Sequence, residues 1–309
     1  MYLRSIHIEN FRCLRDVDLE FEPLTVLVGP NGAGKSSVLD VLQPQVSFAP
    51  RDAWRQDRAV SFKRTGILHD ATPFQHECSV GGSTPTATWN FQRLQLSPRA
   101  LRSEQTLQEQ LVLASDGSNL NNVLSTLPRT VRNEIAARLE ELVPLYSDVD
   151  LKPTDGGRQR LVFRDRWAEG IWHDAQEVSD GTMVAVAFLA LTHLAYPPDI
   201  LAIEDPEHSL HPFLLGELIA LLRRLTAGEL GRKAVQVILT THSAELLDFV
   251  DPREVRFLSR EMTDGSTVVR RAPIESEQWK AAYETYERSL GEIWLSGGLG
   301  GVPNVPTHH

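Results

Sequence analysis

The sequence predicts an α/β fold: a mixed or parallel sheet core, an antiparallel N-terminal β lobe and an inserted α+β lobe. Three observations carry that prediction. Continuous apolar runs at 25–28, 200–203 and 234–240 each lead into a helical pattern, the alternation that builds a parallel sheet buried on both faces. Ile6 and Ile8, then Val17, Leu19 and Phe21, alternate apolar with polar, as strands do when one face meets a core. Between 46 and 170 the pattern is irregular and strand-rich, which marks a lobe set into the chain. The organisation expected is therefore one unit of 309 residues, with an N-terminal half 1–45, an inserted lobe 46–170 and a C-terminal half 171–309.

Each element follows in order. After the N-terminal strands, Val38, Leu39, Val41 and Leu42 predict a helix over 35–42 that Pro44 stops. In the lobe, strands are expected at 76–80, 86–96 and 160–163. Val131, Ile135, Leu139 and Leu142, at steps of four and three, predict an amphipathic helix ended by Pro144. The last part alternates: helix 181–195, strand 200–203, helix 213–225, strand 234–240 and a short helix 244–249. A hairpin turning at Asp264-Gly265 and a helix bearing Trp279, Ala282, Tyr283, Tyr286 and Leu290 complete the pattern. Repeats, long heptad arrays and low-complexity tracts are absent from the sequence.

Composition narrows the function classes. Apolar residues make up 41% and charged residues 23%, an ordinary globular balance. The formal charge of −10 argues against a generally basic coat for nucleic acid or anionic membrane and confines any such contact to local patches. Cys13 and Cys78 are too few for a disulfide framework or a cysteine-based zinc site, which suits a reducing compartment. The N-terminus lacks the pattern of a signal peptide, and the most apolar run, 183–196, is interrupted by Thr192 and His193. A cytoplasmic protein without membrane contact is expected.

Residues 29–36 read Gly-Pro-Asn-Gly-Ala-Gly-Lys-Ser, a G-x-x-x-x-G-K-[ST] pattern between a buried strand and a helix. Glycines let backbone amides turn inward around phosphate oxygens at the positive end of the helix. Lys35 supplies a point charge to the β and γ phosphates, and Ser36 offers a hydroxyl to Mg²⁺. The motif therefore predicts a P-loop NTPase fold. Glu204 and Asp205 stand where a second buried strand ends, so one acid can hold Mg²⁺ and the next can orient or deprotonate water. His242 follows a third buried strand, placed to donate to a γ-phosphate or the attacking water, with Ser243 as a helix N-cap. His208 and His211 lack the further ligands a zinc site requires.

Together GPNGAGKS, EVSDGT at 177–182, IEDPEHSLHP at 203–212 and TTHS at 240–243 resemble the ABC-type ATPase heads, with greatest likeness to the RecF, SMC and OLD-like branch of predicted AAA-type ATPases. The opening IENFRCLRDVDLEFEPLTVLVGPNGAGKSS is similar to that branch as well. The resemblance implies ATP and Mg²⁺ as cofactors, with Asn31, Gly32, Ala33, Gly34, Lys35, Ser36 and Ser37 around the nucleotide. It also implies a role for Arg12 at the nucleotide of its own subunit, Ser36 and Glu204 at the metal, and Asp205 and His242 in catalysis. It further implies a homodimer in which Ser179 and Gly181 complete the ATP site of the opposite subunit. Three departures stand out: Asp180 occupies a position that is glycine in transporter-type heads, a metal-sensing glutamine is not assignable beyond Gln92, and Asp205 replaces the usual glutamate.

Aspartate is roughly 1.5 Å shorter in reach than glutamate, and a misplacement of about 1 Å can cost on the order of a hundredfold in rate. Slow hydrolysis, suited to a switch, is the expectation. What such a switch drives reads three ways: a separately encoded effector such as a nuclease in bacterial defence, DNA in RecF-like repair, or nucleotide-gated binding with little turnover. Arg51, Arg55, Arg58, Lys63 and Arg64 around Trp54 and Phe62, and Arg158, Arg160, Arg164 and Arg166 before Trp167, are the candidate DNA contacts.

Overall fold

A computed structural model describes residues 1–44, 49–54, 59–67, 72–79, 89–297 and 299. The chain folds as two compact units: the first draws on Met1–Gln92, Pro198–Asp205 and the chain from Gln236 onward, the second on Arg93–Pro197 and Pro206–Val235. Packing thus crosses the boundaries expected from sequence, and the reason is visible in one strand. Ser61–Ile67 was expected within the lobe, yet with Pro73–Ser79 it extends the N-terminal antiparallel sheet of Tyr2–Phe11 and Leu14–Glu20. Its inward positions are Phe62, Arg64 and Gly66, facing the same register as Ile8, Ile6 and Leu3. An arginine and a glycine at two of three buried positions erase the apolar alternation that reveals a half-buried strand.

The first unit's second sheet has six strands in the order Thr267–Arg270, Val255–Arg260, Leu24–Val28, Gln236–Thr241, Ile200–Glu204 and Phe91–Leu94. The four strands from Val255 to Ile200 in that order run parallel, and Thr267–Arg270 is antiparallel to its neighbour. Every residue of Leu24–Val28, Ile200–Glu204 and Gln236–Thr241 is buried, as continuous apolar runs require. A mixed α/β P-loop architecture is therefore what this sequence builds. The expected hairpin forms at Gly265, whose φ of 76° supplies the left-handed turn.

The expected final helix is two helices, Glu277–Thr285 and Leu290–Leu295. Glu287 and Arg288 between them take φ of 50° and 68°, which no helix accommodates, and Ser289 caps the second piece by accepting from the Glu292 amide at 3.0 Å. Periodic apolar residues alone could not expose that break. Gly291 then sits so close to Ala244 that an added Cβ would lie 2.3 Å from its carbonyl oxygen.

In the second unit Arg158–Asp165 pairs with Tyr146–Thr154, Trp172–Asp174 and Gln105–Thr106, all antiparallel. Helices Leu120–Thr126, Arg129–Leu142, Asp180–Leu191 and Pro212–Thr226 accompany this sheet. Asp180–Leu191 is apolar all round and buried from Gly181 to its end, the signature of a core helix. No helix among the described residues is long and apolar enough to cross a membrane.

Candidate functional site

The phosphate loop is shaped locally and braced from far along the chain. Gly32 and Gly34 take φ of 77° and 109°, the left-handed backbone that glycine reaches without a steric penalty. A Cβ on Gly34 would meet Thr267 Oγ1 at 2.8 Å, and one on Gly29 would meet the Leu258 carbonyl oxygen at 2.2 Å. Thr267 Oγ1 donates to Ala33 O at 2.8 Å and Arg260 Nε to Gly32 O at 2.7 Å. These bonds engage the loop's carbonyls, the groups that would repel an anion. Neither Thr267 nor Arg260 was singled out from sequence. The only signal there was the hairpin turn that places them.

Lys35, the first residue of helix Lys35–Leu42, is only 6% exposed. Its Nζ donates to Gly29 O at 2.8 Å and Pro30 O at 3.3 Å and lies 2.8 Å from His242 Nε2. Ser36, exposed on the first turn, donates its hydroxyl to Glu204 Oε2 at 3.1 Å. Glu204 ends its strand at 7% exposure, and an oxygen pair of hydroxyl and carboxylate at this spacing suits Mg²⁺. His242 Nε2 is 3.9 Å from Asp205 Oδ1. Five side chains expected at the site, from the loop and two further strand ends, are thereby gathered at the carboxyl ends of adjacent parallel strands.

Asp205 has a backbone φ of 42°, uncommon for a residue with a side chain. Its amide donates to Thr240 O at 3.1 Å, and Thr240 Oγ1 donates to its carboxylate at 3.2 Å. Thr240, buried in the neighbouring strand, thus fixes both the backbone and the carboxylate of the candidate catalytic acid. Sequence reading missed it because a threonine inside an apolar run looks like sheet filler.

The remaining expected residues divide. Asn31 and Gly32 are exposed at the loop tip, whereas Ala33, Gly34 and Ser37 are buried. Arg12 pairs with Asp40 at 2.5 Å and Asp52 at 3.0 Å. Burial lowers the guanidinium's pKa, but hydrogen bonds to Asp52 and Asp40 outweigh that and hold it above its ordinary value. Ser243 caps helix Ala244–Leu247 as expected, accepting from the Leu246 amide at 3.1 Å. His211 caps Pro212–Thr226, and among the described residues neither it nor His208 joins a metal-like cluster.

In the second unit Ser179 is the N-cap of Asp180–Leu191, its Oγ accepting from the Thr182 amide at 3.2 Å. A Cβ on Gly181 would lie 2.8 Å from Ser209 O. Ser179 and Asp180 are exposed, and Asp180 pairs with Arg102 at 2.6 Å.

Two of the DNA contacts expected around residue 62, Phe62 and Arg64, need correction, whereas Arg51 is exposed and Lys63 pairs with Glu77 at 3.5 Å. Phe62 is buried, and Arg64 is fully buried between the rings of Phe62 and Trp89. The Arg64 guanidinium donates to Val41 O and, at 2.8 Å, to Gln43 O, closing the end of the phosphate-loop helix. Neither side chain can reach a nucleic acid. Arg55 and Arg58 lie outside the described residues. In the second cluster, Arg160 pairs with Asp174 at 2.9 Å and Arg166 approaches Glu140 at 3.9 Å, while Trp167 is 72% exposed.

Comparison with known proteins finds ATPase relatives. The family described as "AAA domain, putative AbiEii toxin, Type IV TA system" matches residues 107–248, and the family "AAA ATPase domain" matches residues 1–47. The chain is 39% identical over 70 residues to an OLD nuclease of Thermus scotoductus, covering 23% of this chain and 12% of that protein. It is 33% identical over 82 residues to the DNA replication and repair protein RecF of a Synechococcus strain, covering 23% of this chain and 22% of that protein. An SMC head bound to the C-winged helix domain of ScpA shares the fold, with a TM-score of 0.60 at 13% identity over 91% of this chain and 99% of that one. The chain is thus similar to ATPase heads of the RecF, SMC and OLD-like branch. The chain spans only a small part of the length of the OLD and RecF relatives it matches.

Proposed function

We propose that this ATPase head is a slowly hydrolysing, ATP-dependent dimeric switch that controls a separately encoded effector, such as a nuclease acting in defence. The single observation that supports it best is the convergence of Lys35, Ser36, Glu204, Asp205 and His242, with the shortened acid Asp205 held by Thr240. Lys35 and the loop amides bind the β and γ phosphates. Ser36 and Glu204 hold Mg²⁺, which when bound neutralises charge on the phosphate oxygens. Asp205 orients the attacking water and accepts its proton as the water oxygen bonds to γ-phosphorus and the bond to the bridging oxygen breaks. His242 donates to the γ-phosphate. Arg12 steadies the nucleotide side of its own subunit through its ties to the loop helix, and Ser179 and Gly181 receive the γ-phosphate of the opposite subunit's nucleotide.

Two properties favour a switch over a motor. The reach of Asp205 falls roughly 1.5 Å short of a glutamate's, and its hydrogen bond to Thr240 draws the carboxylate toward the strand. An effector is favoured over DNA because Arg64 and Phe62 are withdrawn from the surface and the net charge is −10.

ATP turnover and particle mass, measured for wild type and Lys35→Ala with and without duplex DNA and the neighbouring gene's product, test this reading. Wild type should dimerise with ATP and turn over slowly, and Lys35→Ala should do neither. Asp205→Glu should turn over faster; a rate equal to wild type refutes the reach argument. A salt-dependent gel shift requiring ATP would move the target from protein to DNA, with Trp167 and Arg166 the first residues to replace.

A further inference from the structure

The aspartate at position 180 poses a physical problem: a carboxylate beside Ser179, at a helix start proposed to receive a phosphate, repels that phosphate. The answer lies 78 residues upstream in Arg102, which follows the short helix Pro98–Leu101. Its side chain is only 12% exposed. Nε donates to Ala175 O at 2.8 Å, Nη2 to Val178 O at 2.8 Å and Nη1 to Pro98 O at 3.0 Å, while Nη1 also lies 2.6 Å from Asp180 Oδ1. One guanidinium therefore grips two carbonyls of the turn before Ser179 and the carboxylate after it. The planar fork of arginine suits this task, since its donors leave in fixed directions and satisfy several acceptors together.

Ala175 and Val178 are buried and Ser179 is exposed, so the grip is applied from beneath to a turn whose outer face is free. Asp180 itself is 55% exposed and without a partner would present a full charge to whatever approaches Ser179. We propose that Arg102 is the positioning residue of this segment: it neutralises Asp180 and fixes the 175–180 turn, so that Ser179 and the helix amides can receive the γ-phosphate of the opposite subunit's ATP. The inference rests on the dimeric reading above. It deepens that reading by naming the residue that makes an aspartate tolerable in the segment.

The test is a charge-compensation cycle read by ATP-dependent dimerisation of the full chain, with binding of a fluorescent ATP analogue to the dilute subunit as a check that each variant is folded. Arg102→Ala should weaken the ATP-dependent dimer by at least about tenfold, the scale of losing one charge-assisted contact, and leave subunit nucleotide binding within about twofold. Asp180→Gly alone should dimerise like wild type, and Arg102→Ala combined with Asp180→Gly should recover most of the loss. Arg102→Gln, which retains a donor for the carbonyls, covers the case in which the alanine variant fails to fold. It should lose dimerisation and be rescued by Asp180→Gly in the same way. A merely structural arginine would give no rescue, because removing its partner would leave the carbonyls equally untied. If wild type dimerises and Lys35→Ala does not, yet Arg102→Ala and Arg102→Gln match wild type or Asp180→Gly rescues neither, this proposal alone falls. If wild type forms no ATP-dependent dimer, the functional reading fails and takes the proposal with it.

Discussion

The phosphate loop and the segment at Ser179 are both short turns entering a helix, yet they are built in opposite ways. In the loop the backbone does the work: Gly29, Gly32 and Gly34 create the space and the left-handed angles, and Arg260 and Thr267 brace carbonyls from a hairpin more than two hundred residues away. At Ser179 side chains do the work: Ser179 caps its own helix, and Arg102 ties the preceding carbonyls and the following carboxylate. A backbone-made turn tolerates no added atom where it is packed, as at Gly29 and Gly34, whereas a side-chain-made turn tolerates substitution so long as its hydrogen bonds and charges balance.

The sharpest way to break this contrast is Gly29→Ala, whose methyl would collide with a backbone carbonyl that cannot rotate away. Loss of about 3 kcal/mol or failure to fold is expected, read as urea or thermal unfolding. Gly32→Ala has open space around it and meets only the left-handed backbone penalty, roughly 1–2 kcal/mol. Equal effects at the two glycines would mean that conformation, not space, governs the loop.

Thr267→Val comes next. It leaves the Ala33 carbonyl without its hydroxyl donor, at about 1–3 kcal/mol, and should also weaken nucleotide binding if the hairpin braces the loop. An unchanged affinity for a fluorescent ATP analogue would confine Thr267 to stability. Ser179→Ala should cost about 1 kcal/mol in unfolding free energy through the lost cap while leaving subunit nucleotide binding intact, in contrast to any change in the loop.

The smallest effect expected lies on the N-terminal sheet. Burial lowers the pKa of His7, but hydrogen bonds to Asp18 and Glu9 raise it further, leaving it above its ordinary value. A raised histidine stabilises the fold below its unfolded pKa of about 6.5, and the contribution disappears as pH climbs through the higher folded value. His7→Ala should therefore destabilise by less than about 1 kcal/mol at pH 6 and by nothing measurable at pH 8. Equal loss at both would assign His7 to packing.

Much of the site was legible because its chemistry is local. Gly32, Gly34, Lys35 and Ser36 follow one another, and Glu204, Asp205 and His242 each sit just past an apolar run, so a buried parallel sheet already aims them together. What escaped was whatever one element does for another. Thr240 reads as strand, but the register that sets Glu204 against Thr240 turns its hydroxyl onto Asp205. Arg64 reads as a surface base, but its strand's pairing with Tyr2–Phe11 carries it fully inside. Tyr146–Thr154, with Asp148, Asp150 and Pro153, carries too little apolar pattern to announce a strand and owes its existence to pairing with Arg158–Asp165.

The sequence by itself determined the α/β class, the phosphate loop, the two acids and the histidine, since each depends on residue type and on neighbours a few positions away. Tertiary structure alone decided that the hairpin at Gly265 braces that loop, that Thr240 restrains Asp205, that Arg64 leaves the surface, and that Arg102 answers the charge of Asp180. The physical reason is the same in each case. Hydrogen bonds and ion pairs act over about 3–4 Å of space, and which residues come within that distance is set by strand register and packing, which no single stretch of chain contains.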